Sequence, residues 1–194
     1  MTGSPVPRVE TERLLLREFL DRDRAPFAAL NADPRVMEHF PSALTPEESD
    51  ELVDRFGQRW AEDGLGLWAV ERRDDGAFLG FTGLAPPRFE AVFTPCVEVG
   101  WRLAAEAWGH GYATEAARAA LAFGFEVRGL SEILSWTVPA NLRSRAVMER
   151  IGMTHDPADD FDHPRVSDGH PLKRHVLYRL SVERWRALQG SDPA

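Results

Sequence analysis

The stretch "WGHGYATEA", residues 108 to 116, sets Gly109 and Gly111 on either side of His110 and then runs into an alanine-rich segment. A strand, a glycine-rich turn and a helix in that order form an anion site, because unpaired N–H groups and the positive end of the helix dipole both face the turn. Glycine at both positions lets the backbone approach a phosphate with no Cβ between them. A Walker loop requires Lys-Ser/Thr after its second glycine, and Tyr112-Ala113 stand there instead. A dinucleotide fingerprint requires a third glycine where Thr114 stands. On this stretch alone, a tight strand-to-helix turn accounts for the pattern equally well.

The elements that must hold this loop can be read on either side of it. "RLLLREF" (13–19) is a short apolar run that reads as a first strand, and a helical pattern follows from Asp21 to about Ala32, with Pro34 as its stop. Thr45, Pro46 and Glu48 give the next helix an N-cap, a first-turn proline and a capping box, and Leu52, Phe56 and Trp60 form its apolar stripe. "LWAVERRDDGAFLGFTGL" is a β-hairpin turning at Asp75-Gly76. "CVEVGWRL" alternates, with Val97, Val99, Trp101 and Leu103 on one face and Cys96, Glu98, Gly100 and Arg102 on the other. After the loop come a helix from about Ala113 to Val127 and a strand over 131–138. Asn141 opens a helix that ends near Ile151, with Gly152 at its C-cap, and a last strand spans 172–182. Residues 1–8 read as a loose tail and residues 9–190 as a single α+β domain.

Composition bounds the partners. The chain of 194 residues fits one domain, with 43% hydrophobic and 28% charged residues. A net charge of −8 argues against nucleic acid and suits a cationic or amine ligand. No run approaches the ~18 apolar residues of a membrane span, and the start lacks a signal-peptide pattern. Cys96, the single cysteine, excludes an intrachain disulfide and fits a reducing cytoplasm. No histidine lies near it in sequence, so a small buried cysteine is the reading rather than a nucleophile. His155, His163, His170 and His175 are scattered among aspartates at spacings that fit neither zinc nor a calcium loop, and no metal is expected.

Residues 98–116 resemble the signature of the GCN5-related N-acetyltransferases, the GNAT superfamily, whose loop runs Gln/Arg-x-x-Gly-x-Gly/Ala. The corresponding stretch is Trp108-Gly109-His110-Gly111-Tyr112-Ala113, in which Trp108 departs from Gln/Arg. "TERLLLREF", "DPRVMEHF", "VEVGWRL", "WGHGYATEA" and "NLRSRAVMERIGM" resemble, in this order, the branch typified by ribosomal-protein N-acetyltransferases. The resemblance covers about residues 9–182. It implies a twisted, mainly antiparallel mixed sheet of about seven strands with helices on both faces, and acetyl-CoA wedged between a splayed strand pair. By that resemblance, main-chain atoms of Trp101, Arg102 and Leu103 pair with the pantetheine arm. N–H groups of Gly109, His110, Gly111, Tyr112, Ala113 and Thr114 hold the pyrophosphate, and Asn141 contacts the coenzyme as well as capping its helix.

Acetyl transfer from a thioester to an amine requires the amine to lose a proton, the carbonyl to be polarised and the thiolate to leave. Glu98, on the strand before the loop, is the candidate base, against an ordinary surface or salt-bridged glutamate. Ser144 falls where the resembling branch places a hydroxyl close to the coenzyme sulfur. Many members of the wider family use a tyrosine one turn later, where Met148 stands here, and a solvent-facing serine is the alternative. Arg143 and Arg145, flanking Ser144, read as solvated or as reaching coenzyme phosphates. The expected activity is acetyl-CoA-dependent transfer to a primary amine in a ternary complex. The acceptor is a protein N-terminus or, in the alternative, a polyamine, aminoglycoside or amino acid. A non-catalytic acyl-CoA sensor is the reading from a different class, and a homodimer is compatible with the sequence. Between Asp156 and Leu172 lie 17 residues with five aspartates and one basic residue, Arg165. This segment is expected to line the acceptor entrance and draw in a cationic amine through its carboxylates, against a solvated acidic loop.

Overall fold

The computed structural model describes residues 6–190. The chain opens with strands β1 (Val9–Glu10) and β2 (Leu14–Arg17), then helices α1 (Asp21–Ala32), α2 (Pro34–Met37) and α3 (Pro46–Asp63). The hairpin of β3 (Leu67–Arg72) and β4 (Phe78–Ala85) leads to β5 (Glu98–Leu103) and helix α4 (Tyr112–Ala122). Then come β6 (Glu132–Thr137), α5 (Leu142–Arg150), β7 (Thr154–His155), β8 (Phe161–Asp162), β9 (Arg174–Ser181) and α6 (Val182–Gln189).

Local chemistry sets most of these boundaries. Thr45 accepts from the Glu48 N–H while the Glu48 carboxylate accepts from the Thr45 N–H, closing the expected capping box of α3. Gly76 takes a positive φ in the β3–β4 turn, where the Arg72 guanidinium grips Asp75. Pro34 does not simply stop α1. It opens the short α2, with Asp33 as the cap that accepts from the Arg35 N–H. The strand expected to run to 182 ends at Ser181, whose hydroxyl caps α6 by accepting from the Arg184 N–H.

The strands form one mixed sheet in the order β1-β2-β3-β4-β5-β6-β9-β7, with β8 added alongside β9. Nine strands are present among the described residues, more than the seven expected; β1, β7 and β8 have only two residues each. Every pairing is antiparallel except β5 with β6. Helices cover the sheet in two clusters. In one, α4, α5 and α6 pack Ala116, Ala120, Leu121, Val147, Met148 and Trp185 against strand residues such as Leu16, Val99 and Ile133. In the other, α1 and α3 pack Phe27, Leu30, Val53 and Phe56 on Phe81. Burying the larger aliphatic and phenyl side chains among these stabilises the fold by ~1.5–3 kcal/mol each, which fixes both the strand that precedes the glycine loop and the helix that follows it. At the N-terminus, the Trp68 indole N–H donates to the Pro7 carbonyl at 2.7 Å and Val6 packs on the core. Residues 1–5 of the expected tail lie outside the described residues.

Candidate active site

Strands β5 and β6 touch at one end and separate beyond it. Their single register pair is Glu98 with Leu134, and the Leu134 N–H donates to the Val97 carbonyl at 2.9 Å. Alternation along β5 turns the main-chain groups of Val99 and Trp101 the same way as the Val97 carbonyl, toward the gap. Arg102 is matched with Phe81 on β4, and Ala104, of the same parity, donates its N–H to Leu79 on β4. The Leu103 carbonyl accepts from the Trp108 indole at 2.9 Å. Arg102 therefore turns its main chain to β4, while Trp101 and Leu103 turn theirs to the gap side, where the Leu103 carbonyl is taken by Trp108.

The loop is built by two left-handed glycines. Gly109 and Gly111 have φ of 80° and 82°, a region costly to residues with a Cβ, and Gly111 directly precedes α4. Among the described residues no protein group accepts from the N–H groups of Gly109, His110, Gly111, Tyr112, Ala113 or Thr114, so six successive donors are left at a helix start. A Cβ on Gly109 would meet nothing within 4 Å, so conformation, rather than crowding by the protein, requires glycine there. The His110 ring is exposed and stacks on Tyr112, and its carbonyl accepts from Arg13 at 2.9 Å.

Residues from the β1–β2 connection clamp this loop. Thr11 Oγ1 and the Arg13 N–H donate to Glu115 Oε1 at 2.6 and 2.9 Å, and the Arg13 guanidinium grips Oε2 at 2.7 Å while lying 4.8 Å over the Tyr112 ring. Burial pushes the Glu115 carboxyl up, and the bonds from Thr11 and Arg13 outweigh it, holding the group below its usual range. Reading the sequence left Thr11 and Arg13 without a role, since nothing in local spacing links them to a helix some hundred residues away.

Glu98 stands where β5 and β6 begin to part. Half-buried on the floor of a groove of about 200 Å³, it forms no hydrogen bond or ion pair among the described residues. Removal from water pushes its pKa up to about 8, against the opposing pull of Arg59. Gly100, next on the same face, leaves space above it. The nearest atom a Cβ there would meet is Glu98 Oε1, at 3.9 Å. Arg59, Arg88, Phe89, Trp136, His163 and Arg165 line the rest of the groove.

Across the gap, Asn141 accepts from the Ser144 N–H at 3.1 Å and donates to Thr137 Oγ1 at 3.1 Å, tying the start of α5 to the end of β6. The Ser144 hydroxyl is half-buried and without a partner among the described residues. Met148 is buried in the core. The two arginines beside Ser144 are engaged with protein. Arg143 lies 4.3 Å over the Trp108 ring and reaches Glu38, and Arg145 bonds the Tyr178 hydroxyl and the Pro139 carbonyl.

The acidic segment behaves differently from expectation. Asp156 caps a short 3-10 turn, Asp159 pairs with Arg179, Asp160 with His155, Asp162 with Arg174 and Asp168 with Lys173. None of the five lines the groove at Glu98. The segment does reach that groove, through His163 and Arg165. Its Phe161 lies 4.8 Å from Phe93, and His163 lies 4.6 Å from Phe89, which in turn meets Trp136 at 5.6 Å. Burial and the neighbouring His175 push the His163 pKa down to about 4, so the ring is neutral at pH 7. Cys96 lines the adjoining hollow, and burial pushes its thiol up to about 11, which leaves little thiolate for nucleophilic attack. Among the described residues no group of three or more His, Cys, Asp or Glu is placed to hold a metal, and no helix is long and apolar enough to cross a membrane.

Residues 13–154 match the acetyltransferase (GNAT) domain family. The chain is 31% identical over 200 residues to the FsC-acetyl coenzyme A-N(2)-transacetylase of Aspergillus fumigatus, covering 97% of this chain and 82% of that protein. It is 28% identical over 177 residues to the uncharacterized N-acetyltransferase YnaD of Bacillus subtilis, covering 91% of this chain and 98% of that protein. Among solved structures, an acetyltransferase from Agrobacterium tumefaciens superposes with a TM-score of 0.73 at 28% identity, over 93% of this chain and 97% of that one. The ribosomal-protein-S5-alanine acetyltransferase of Vibrio fischeri, at 17% identity and a TM-score of 0.72 over 92% and 98%, shares the fold. Members of this family use acetyl-CoA. With its parted β5–β6 pair and its open row of N–H donors, the chain belongs to the GNAT acetyltransferase family and is an N-acetyltransferase.

Proposed function

We propose that the protein transfers the acetyl group of acetyl-CoA to a primary amine by direct attack within a ternary complex, in the manner of the ribosomal-protein branch its motifs resemble. The observation that carries this is that β5 begins at Glu98, unpaired among the described residues, parts from β6 beyond it and leads into six N–H donors likewise unpartnered there. The gap takes the pantetheine arm along the Trp101 backbone, and the loop from Gly109 to Thr114 takes the pyrophosphate. Arg102 and Leu103 flank that path.

In this mechanism the amine nitrogen attacks the thioester carbonyl and Glu98 takes the proton the nitrogen sheds. A base whose pKa is near 8 is well matched to that task near neutral pH. The C–S bond then breaks as the tetrahedral intermediate collapses. The Ser144 hydroxyl gives its proton to the departing sulfur and recovers one from solvent. Asn141 fixes Ser144 by accepting from its N–H. Holding both substrates side by side supplies much of the rate without a covalent enzyme intermediate. Release of free thiol from acetyl-CoA across a panel of ribosomal-protein N-terminal peptides, polyamines, aminoglycosides and amino acids tests the reading. Absence of acceptor-dependent thiol release across the panel argues for an acyl-CoA sensor instead.

A further inference from the structure

The groove at Glu98 carries charge opposite in sign to that of the whole chain. The protein has a net charge of −8, yet Arg59 from α3, Arg88 from the β4–β5 connection and Arg165 from the segment before β9 line the space that holds Glu98. Among the described residues none of the three has a carboxylate within ion-pairing distance, whereas Lys173, Arg174 and Arg179 nearby are all paired. Arg59 is half-buried. Burial first, then the like charge of Arg88, hold it below its usual pKa, with Asp63 and Glu98 the opposite charges it feels. The His163 ring is neutral at pH 7, and Asp159, Asp162 and Asp168 of the same segment pair with Arg179, Arg174 and Lys173. Unlike Arg59, Arg88 and Arg165 are exposed, and three like charges lining one groove with Glu98 as its only carboxyl give it a field that favours an entering anion.

We infer that the acceptor is an amine that also carries an anionic group, a carboxylate or a phosphate, seated among Arg59, Arg88 and Arg165 while the nitrogen faces Glu98. This rests on the acetyl-transfer reading above. Base and arginines line one small groove, so the amine and the anion lie only a few bonds apart in the substrate. Phe89, Trp136 and Phe161 offer an apolar wall beside them. A polyamine meets three repelling guanidinium groups here, and a peptide N-terminus without an acidic neighbour lacks the group they would bind.

The test follows thiol release from acetyl-CoA with L-phenylalanine, L-phenylalaninamide, phosphoethanolamine and spermidine as acceptors. L-phenylalanine or phosphoethanolamine is expected to exceed both the neutral amide and spermidine by about tenfold or more in kcat/KM. The better of the two anions decides between carboxylate and phosphate. The comparison is stringent, because the amine of the amide is less basic and sheds its proton more readily. Arg59→Gln and Arg165→Gln, on separate elements and checked for folding by circular dichroism, each raise KM for the anionic acceptor several-fold and leave KM for acetyl-CoA unchanged. Equal kcat/KM for L-phenylalanine and its amide with phosphoethanolamine no better, or a preference for spermidine, overturns the inference. Calorimetric titration with N-acetyl-L-phenylalanine needs no turnover. Binding that either arginine variant weakens, in the absence of any acetylation, supports the anion site and counts against the transfer reading. Turnover of neutral or cationic amines alone leaves that reading standing and overturns the inference. Neither binding nor turnover of any anionic probe overturns it as well.

Discussion

Arg13 and Glu115, separated by 102 residues, meet in a two-pronged ion pair, with Nε and Nη2 each 2.7 Å from Oε2. Through it the edge of the sheet holds the first turn of α4, and Arg13 also takes the His110 carbonyl. The left-handed loop is thereby fixed from outside, with its N–H groups left free for a ligand. Preorganisation of this kind favours binding by lowering the ordering cost on association.

Arg13→Gln should weaken acetyl-CoA binding about three- to tenfold, or roughly 1 kcal/mol, by loosening the loop. The same variant loses roughly 1 kcal/mol of stability, as expected for a partly exposed pair. The Glu115 carboxyl is held below its usual value, so its share of stability is present above the unfolded pKa and is lost as pH falls through the folded one. Thermal melts between neutral and acid pH should show that loss in the wild type and less of it in Glu115→Gln.

Gly111→Val should cut acetyl-CoA affinity by at least about tenfold, or ~1.4 kcal/mol. A β-branched residue is strained at a φ of 82°, and its Cβ would also lie 3.4 Å from the Arg13 guanidinium. Calorimetry on the folded variant measures this, and unchanged affinity would remove the pyrophosphate from the loop.

Glu98→Gln should lower kcat by roughly 10- to 1,000-fold with little change in the KM for acetyl-CoA. The wild-type kcat/KM should climb with pH and level off above about 8, as the carboxyl gives up its proton. The variant should lose that limb. Stability runs the other way. A carboxyl whose folded pKa is raised stabilises below its unfolded value, and the benefit fades as pH rises toward 8. Glu98→Gln should therefore melt higher than the wild type at alkaline pH, and a lower melting point there would mean the carboxylate has a partner.

Ser144→Ala should lower kcat by about tenfold or more while leaving the helix intact, because Asn141 caps through the Ser144 backbone N–H rather than its hydroxyl. Asn141→Ala should instead cost ~1 kcal/mol of stability through the lost cap. Steady-state kinetics beside thermal melts separates the two. A kcat near wild type for Ser144→Ala would mean the thiolate leaves without help from that residue.

Replacing Asp159, Asp160 and Asp162 together by Asn should lower the melting temperature, since it strips partners from Arg179, His155 and Arg174. It should not selectively raise KM for spermidine. A salt-dependent rise for that polycation, larger at low ionic strength, would show the carboxylates meeting the acceptor after all.

What the sequence by itself determined was written in interactions that span a turn or two of chain. The capping box of Thr45 and Glu48, the Asn141 cap, the turn at Asp75-Gly76 and the left-handed Gly109, Gly111 and Gly152 are each satisfied within a few residues. Their residue types therefore announce them. The short elements were not announced. Strands β7 and β8 have two residues each and exist because β9 offers them partners, and α6 is held by Trp185 stacking on Phe125, sixty residues earlier in the chain. In the site, the sequence marked the loop, Glu98 and Ser144. Tertiary structure alone decided that Arg13 reaches Glu115, and that Trp101 rather than Arg102 turns its backbone to the gap. Summed charge pointed to a cationic ligand, whereas the charges lining the Glu98 groove are mostly positive. Asp159, Asp162 and Asp168 find cationic partners close by, while Arg59, Arg88 and Arg165 arrive at one groove from three separate segments. Net charge is a sum over the whole surface, and a site's field depends on which few charges stand within a Debye length of it, here ~8–10 Å.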